Sequence, residues 1–356
     1  VSAIINNVYP GTSVTTIHVI KEHKYGDGSV STSSRATLEL EYGKGSPADL
    51  PRRVIVKMSF DSRDMAFDNW NFQLHSMFEN EVNFYNRIRP LLTIEAPRSL
   101  GGYFDHETKR YVLFLEDIVQ RNAHFPSFLE DVSVENVQAV LDTLARVHAS
   151  LWESPRFASD LSWVETHLQG GVETLTRGLI SEGVKDQLSK HKFKREILSS
   201  LGTSERDLFV GMCAVKQHQS TQPQTLLHGD THIGNTYRMR DGSGGLLDWQ
   251  LCVRGYVMHD VTYLINTSLS IDLRRKYERE LIAFYRDRLQ RYGIANPPDM
   301  DTLWLEHRYA CVWPVHIGWL SCPPENYGWN VNATALLRVS TAFEDHDTGT
   351  LVSRLL

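Results

Sequence analysis

Leu226-Leu227-His228-Gly229-Asp230-Thr231-His232-Ile233-Gly234-Asn235, followed closely by Gly244-Gly245-Leu246-Leu247-Asp248-Trp249-Gln250, decides how this chain is read. An Asp and an Asn stand five positions apart in a glycine-punctuated turn, and a second Asp ends a short apolar run. That set of groups suits phosphoryl transfer. One carboxylate is fixed where an acceptor hydroxyl can give up its proton. An amide oxygen and a second carboxylate supply hard ligands of the kind Mg²⁺ takes. Asp230 is the candidate base, and Asn235 and Asp248 are the candidate metal ligands.

Upstream, the chain reads as strands between residues 14 and 60. Val14–Ile20 is β-branched, Ala36–Tyr42 alternates apolar with polar, and Val54-Ile55-Val56-Lys57-Met58 is a nearly continuous apolar run, as in a buried central strand. The segment Tyr25–Ser34 is rich in glycine and hydroxyl residues and suits a hairpin covering phosphates, with Ser33 and Ser34 as candidate contacts. It lacks G-x-G-x-x-G, so a plain surface hairpin fits equally well. Lys57 is costly to bury without a partner. From about Asp68 to Leu92 the apolar period is helical, Pro90 marks a kink or stop, and Glu81 within that helix is a plausible partner for Lys57. Lys109–Ile118 reads as a further strand ending in Glu116 and Asp117.

Val134–Trp152 is the clearest amphipathic helix, with His148 on its apolar stripe as a satisfied core histidine. Asp260 opens an apolar helix, where an N-cap role is the plain reading. Asp272–Tyr292 predicts another helix, stopped by Gly293. Near Pro323-Pro324, Trp319 and Trp329 are candidates to wall an apolar substrate pocket.

Bulk properties narrow the class. A chain of 356 residues can bury one large core or two lobes, and its formal charge of −6 argues against a general nucleic-acid binder. No apolar run approaches bilayer length and no secretory pattern opens the sequence, so a cytoplasmic protein, with no membrane partner, is expected. The four cysteines form no C-x-x-C pair, which suits reduced thiols.

Taken together these motifs resemble the aminoglycoside phosphotransferase/choline kinase superfamily, built on the protein-kinase fold, and most of all its ecdysteroid-kinase-like branch. The carriers are V-x-V-K at Val54–Lys57, E-x-x-F-Y at Glu81–Tyr85, L-E-D at Leu115–Asp117, L-A-x-x-H-A-x-x-W at Leu144–Trp152, H-G-D-x-H-x-x-N at His228–Asn235, L-D-W-Q at Leu247–Gln250 and D-V-x-Y-L at Asp260–Leu264. The spacing of Asp230 and Asn235 matches that of the kinase catalytic loop. The resemblance implies an α+β, bilobal protein-kinase-like fold. A small β-rich N-lobe with one long helix would span residues 1–118, a hinge 119–122, and a larger, mainly helical C-lobe 123–356. It implies ATP and Mg²⁺ as cofactors, with Asp230 as base and Asn235 and Asp248 on the metal. Lys57, held by Glu81, would meet the α/β-phosphates, Ser33 or Ser34 would cap them, and the backbone of Glu116 to Ile118 would take the adenine. His228, His232 and Asp260 would steady the catalytic loop. The implied acceptor is a small-molecule hydroxyl: an apolar or sterol-like alcohol, a glycoside or an aminoglycoside-like compound. Glu344, Asp345 and Asp347 are candidates should it be cationic. The protein would act as a monomer or homodimer. Gly229 in place of Arg, Trp249-Gln250 in place of Phe-Gly, and the lack of A-P-E argue against a protein substrate. Two other readings use the same residues: a catalytically silent kinase-fold nucleotide-binding protein, and a metal-dependent hydrolase built on His228, Asp230 and His232.

Overall fold

The computed structural model describes residues 1–23, 32–60 and 65–356, without the side chains of residues 65–73 and 326. Most of the expected phosphate-covering hairpin therefore lies outside the described residues. The chain divides into two compact units. The first comprises Val1–Leu92, Ala96–His124 and Leu247–Gln250; the second comprises Thr93–Glu95, Phe125–Leu246 and Leu251–Leu356.

The first unit is built on an antiparallel sheet of five strands, β1 (Val14–His23), β2 (Ser34–Tyr42), β3 (Arg53–Met58), β4 (Ser99–Asp105) and β5 (Arg110–Glu116), in the order β1-β2-β3-β5-β4. Strand β3 is central, paired with β2 on one side and β5 on the other. Its apolar run fits that place, and Val54 and Val56 are buried with Leu38, Leu40 and Phe114 in one core cluster. The long helix Met65–Asn83 continues through a π turn at Phe84–Ile88 and a 3₁₀ turn at Arg89–Leu91, which carries Pro90 and ends the helical run. Strand β4 was not legible, because its Ser99-Leu-Gly-Gly core lacks both β-branching and alternation.

The second unit is mostly helical. Helix Val134–Ser150 presents Val137, Val140, Leu141, Leu144 and Val147 to the core and packs on helix Ile271–Arg291 and on strand Gly244–Leu246. A Cβ at Gly244 would come within 2.6 Å of the Ala139 backbone, so the close approach of this helix requires glycine. Two short ladders, Thr225–Leu227 with Val253–Gly255 and Thr236–Arg238 with Gly244–Leu246, bracket the H-G-D-x-H-x-x-N loop. No helix among the described residues is long and apolar enough to cross a membrane. All four cysteines are unpaired.

Candidate active site

In the first unit, Lys57 lies inside β3 opposite Arg35 and Leu113 and is buried. Its Nζ is 2.7 Å from Glu81 Oε1 and 2.6 Å from Oε2, and 3.0 Å from Asp248 Oδ1. Burial works against its charge, but the carboxylates of Asp248 and Glu81 outweigh it, and the ammonium pKa is raised. Glu81 is wholly buried, so Lys57 is what makes its charge tolerable. Asp248, by contrast, keeps a side-chain exposure of 40%. Its backbone is left-handed, with φ of +62°, a conformation rare outside Gly, Asn and Asp.

The segment Leu247–Gln250 is fastened to the long helix of this unit. Trp249 stacks on Phe84 with ring centroids 3.8 Å apart, Asn80 donates to the Gln250 carbonyl at 3.2 Å, and Gln250 donates to Glu81 Oε2 at 3.4 Å. Thr32 Oγ1 donates to Gln250 Oε1 at 2.7 Å. Ser33 is buried, and Ser34 opens β2 opposite Met58. After β5, the Glu116 and Asp117 N–H groups are spent on the carbonyls of Arg98 and Arg53, and the Asp117 carboxylate pairs with Arg53 at 2.9 Å and caps Val119 N. Glu116 points its carboxylate at Arg121, 2.7 Å away, and Ile118 is buried at the start of a 3₁₀ turn.

In the second unit, the H-G-D-x-H-x-x-N residues form a tight backbone-anchored turn. Asn235 donates through Nδ2 to Asp230 at both the carbonyl, 2.8 Å, and Oδ2, 3.0 Å. With its nitrogen so engaged, the amide oxygen is the end that can serve a hard cation. Gly229 has φ of +85°, and a Cβ there would lie 2.0 Å from the Leu251 carbonyl oxygen, so only glycine fits. His232 accepts the Gly234 N–H on Nδ1 at 3.1 Å, which places the ring proton on Nε2, 3.7 Å from Asp230 Oδ2.

Asp260 is not an N-cap. Helix Met258–Ser268 begins two residues earlier, its N-cap Val257 makes no side-chain bond, and Asp260 lies within the first turn. Its carboxylate instead accepts the N–H groups of His228 at 2.7 Å and Gly229 at 2.9 Å, and faces His148 Nε2 at 3.2 Å. His148 is completed by Tyr285 Oη at 2.7 Å, as a satisfied core histidine should be. Burial would raise the Asp260 pKa. The hydrogen bond and charge of His148, aided by His259 and His228, overcome it and hold the carboxyl at about 2, against 3.8 unperturbed. An acid whose folded pKa is depressed gives stability that is complete above its unfolded pKa and lost as pH falls through the folded one. The stability gap between wild type and Asp260→Asn should therefore be about 2 kcal/mol at pH 7 and shrink between pH 4 and 2 in urea unfolding. A gap that is constant with pH contradicts this role.

The support under Gly229 carries no signal in the sequence. His259 Nε2 donates to the Gly229 carbonyl at 3.0 Å, and Lys216 Nζ donates to His259 Nδ1 at 2.6 Å. Burial pushes Lys216 down to about 7 and His259 down to about 3. Lys216 sits on an ordinary amphipathic helix, Glu205–Gln219, where nothing local distinguishes it from a solvated lysine.

Of the two tryptophans, Trp319 is buried and stands with Phe128 (4.6 Å between centroids), His232 (6.0 Å) and Tyr327 (5.7 Å). Tyr263 joins this aromatic group through His232, 6.0 Å away. Trp329 is half exposed, and its ring neighbours are His191 and Phe193 instead. Asp345 is engaged by Arg274 and Arg275, while Glu344 and Asp347 are exposed. The metal-hydrolase reading gains nothing from the geometry. His228 and His232 each use Nδ1 to accept a backbone N–H, and among the described residues they do not join a cluster of three converging metal donors.

Comparison with known proteins bears on the fold and the family. The chain has the protein-kinase-like fold. It is similar to a choline kinase from Cryptosporidium parvum Iowa II at 13% identity and TM-score 0.52, covering 96% of this chain and 91% of that one. It is also similar to an ethanolamine kinase from Plasmodium vivax at 12% identity and TM-score 0.50, covering 94% and 83%. No curated protein sequence matches the chain at a significant level. Residues 25–293, three quarters of the sequence and a span that includes Lys57 through Asp260, match the ecdysteroid kinase-like family, and the chain belongs to that family.

Proposed function

We propose that this protein is a small-molecule O-kinase that transfers the γ-phosphoryl group of ATP to the hydroxyl of an apolar, sterol-like alcohol or its glycoside. The observation that carries the reading is the buried Lys57 held by Glu81 and Asp248, a costly arrangement that a purely structural strand would not keep. The donors suit a hard cation: Asp248 offers a partly exposed carboxylate and Asn235 an amide oxygen, both oxygen ligands of the kind Mg²⁺ takes. When bound, Mg²⁺ neutralises charge on the transferring phosphates.

The rest is the work of the chain's own groups. Lys57, kept protonated by its two carboxylates, binds the α/β-phosphates, with Glu81 fixing its direction. Ile118, the first residue past the two spent N–H groups, presents its backbone to the adenine, and Ser34 remains a candidate for covering the phosphates. Asp230, oriented by Asn235, takes the proton of the acceptor hydroxyl. The mechanism relies on positioning and fixed charge, which suits a loose phosphoryl-transfer transition state. The rings of Phe128, Tyr263 and Trp319 beside His232, with Tyr327 against Trp319, offer apolar surface to a ring-shaped acceptor, and Asp345, a candidate acid for a cationic one, is already paired with Arg274 and Arg275.

The test is ADP release from MgATP across a panel of hydroxyl compounds. Turnover is expected with sterol-like alcohols or their glycosides and to be at least tenfold weaker with choline and aminoglycosides. ATP binding without turnover of any acceptor would favour a silent nucleotide-binding protein instead.

A further inference from the structure

Away from all of these residues, the second unit buries a compact set of nitrogen and sulfur donors. His307 lies on helix Met300–Ala310 and Cys311 is its C-cap, one helical turn further on the same face; His346 is the C-cap of helix Trp329–Asp345. All three are buried, and one donor atom from each lies within 4.8 Å of the other two.

Each donor is also oriented by a neighbour. His307 Nδ1 meets Thr262 Oγ1 at 2.9 Å, while its Nε2 is buried, has no hydrogen-bond partner, and faces Glu278 Oε2 across 3.7 Å. His346 Nε2 meets the same Glu278 oxygen at 3.2 Å, and Asn266 donates to Cys311 Sγ at 3.3 Å. Histidines that ligate metals characteristically give their other nitrogen to a hydroxyl or carboxylate, and an N–H donor to sulfur favours thiolate. Arg274 touches Glu278 at 2.9 Å and is offset by Asp345 as well as by Glu278.

We infer that His307, Cys311 and His346 form a site for a borderline divalent cation, Zn²⁺, distinct from the phosphoryl-transfer residues. Two imidazoles and a thiolate are a ligand set that zinc prefers over Mg²⁺ or Ca²⁺. Metal–ligand bonds of about 2.0–2.3 Å in a tetrahedron put ligands roughly 3.3–3.8 Å apart, so closure from 4.8 Å asks for about 1 Å of side-chain movement. Water completes the set, with Glu278 holding His346. The Cys311 thiol, whose pKa burial pushes up to about 12, donates to the His307 carbonyl at 3.3 Å. Metal binding replaces that proton, which leaves to solvent. The metal would then clasp the helices carrying Glu278, His307 and His346.

The test uses tag-free full-length protein titrated with Co²⁺ as a spectroscopic probe and with Zn²⁺ as competitor. A stoichiometric thiolate-to-cobalt charge-transfer band is expected, displaced by Zn²⁺, absent in Cys311→Ser and retained in Cys213→Ser. Zn²⁺ at a hundredfold excess over its Kd should raise the wild-type Tm by about 4 °C, and Mg²⁺ should not. The wild-type measurements stand even where Cys311→Ser fails to fold. No charge-transfer band and no Zn²⁺-dependent Tm shift in wild type would overturn the site and leave a buried structural cluster in which Glu278 bonds His346 and Arg274.

Discussion

Asp230→Ala should lower turnover by about 10²–10⁴-fold while leaving ATP affinity within about twofold of wild type. The reason is a division of labour between side chains. Asp230 is fixed by Asn235 and by the backbone of a loop that Asp260 and His259 hold from behind. None of these contacts is to Lys57 or Asp248, to which nucleotide binding is assigned. The loss should therefore fall on kcat, measured by ADP release with saturating acceptor, with little change in KM for ATP. Asp230→Asn should behave in the same way, because it keeps the shape of the turn and removes only the base. An active alanine variant would remove Asp230 from the chemistry.

Lys57→Met should cost about 3–5 kcal/mol of stability, because it strands Glu81, which is wholly buried. The half-exposed Asp248 can turn to water and adds little to that penalty. Pairing the change with Glu81→Gln should restore much of the loss, since the uncompensated charge is then gone. Chemical denaturation of the single and double variants reads this directly. Additive losses would mean that the two residues stabilise the fold independently, and that the short ion pair does not govern the behaviour of Glu81.

Much of this was legible in the chain because the physical signals were local. A lysine in the apolar run Val54–Met58 demanded a partner, and a helix periodic from Leu74 to Ile88 offered Glu81. Much of the order of strands and helices followed from periodicity and turn residues, with β4 and the π turn before Pro90 as exceptions. The misreadings come from where tertiary context decides. Asp260 is two residues past its helix start, so the cap read from its position fails, while its carboxylate holds the His228 and Gly229 N–H groups, the supporting role that the family resemblance implied. Leu247–Gln250 belongs with strands nearly two hundred residues earlier in the chain, and no local pattern announces that Trp249 will stack on Phe84. Trp319 and Trp329 look equivalent in sequence, yet only Trp319 reaches the rings beside His232. Lys216 and His307 carry no signal at all, because burial alone gives them their character.

The most direct test of the kinase reading is a calorimetric titration of ATP into the wild-type protein with and without Mg²⁺, beside Asp248→Ala. Binding should be tighter by at least tenfold with Mg²⁺, and that gain should vanish in the variant, whose metal-free affinity should stay close to wild type. Equal affinity with and without Mg²⁺, or a variant that keeps the full gain, would contradict the assignment of Asp248 and with it the phosphoryl-transfer site.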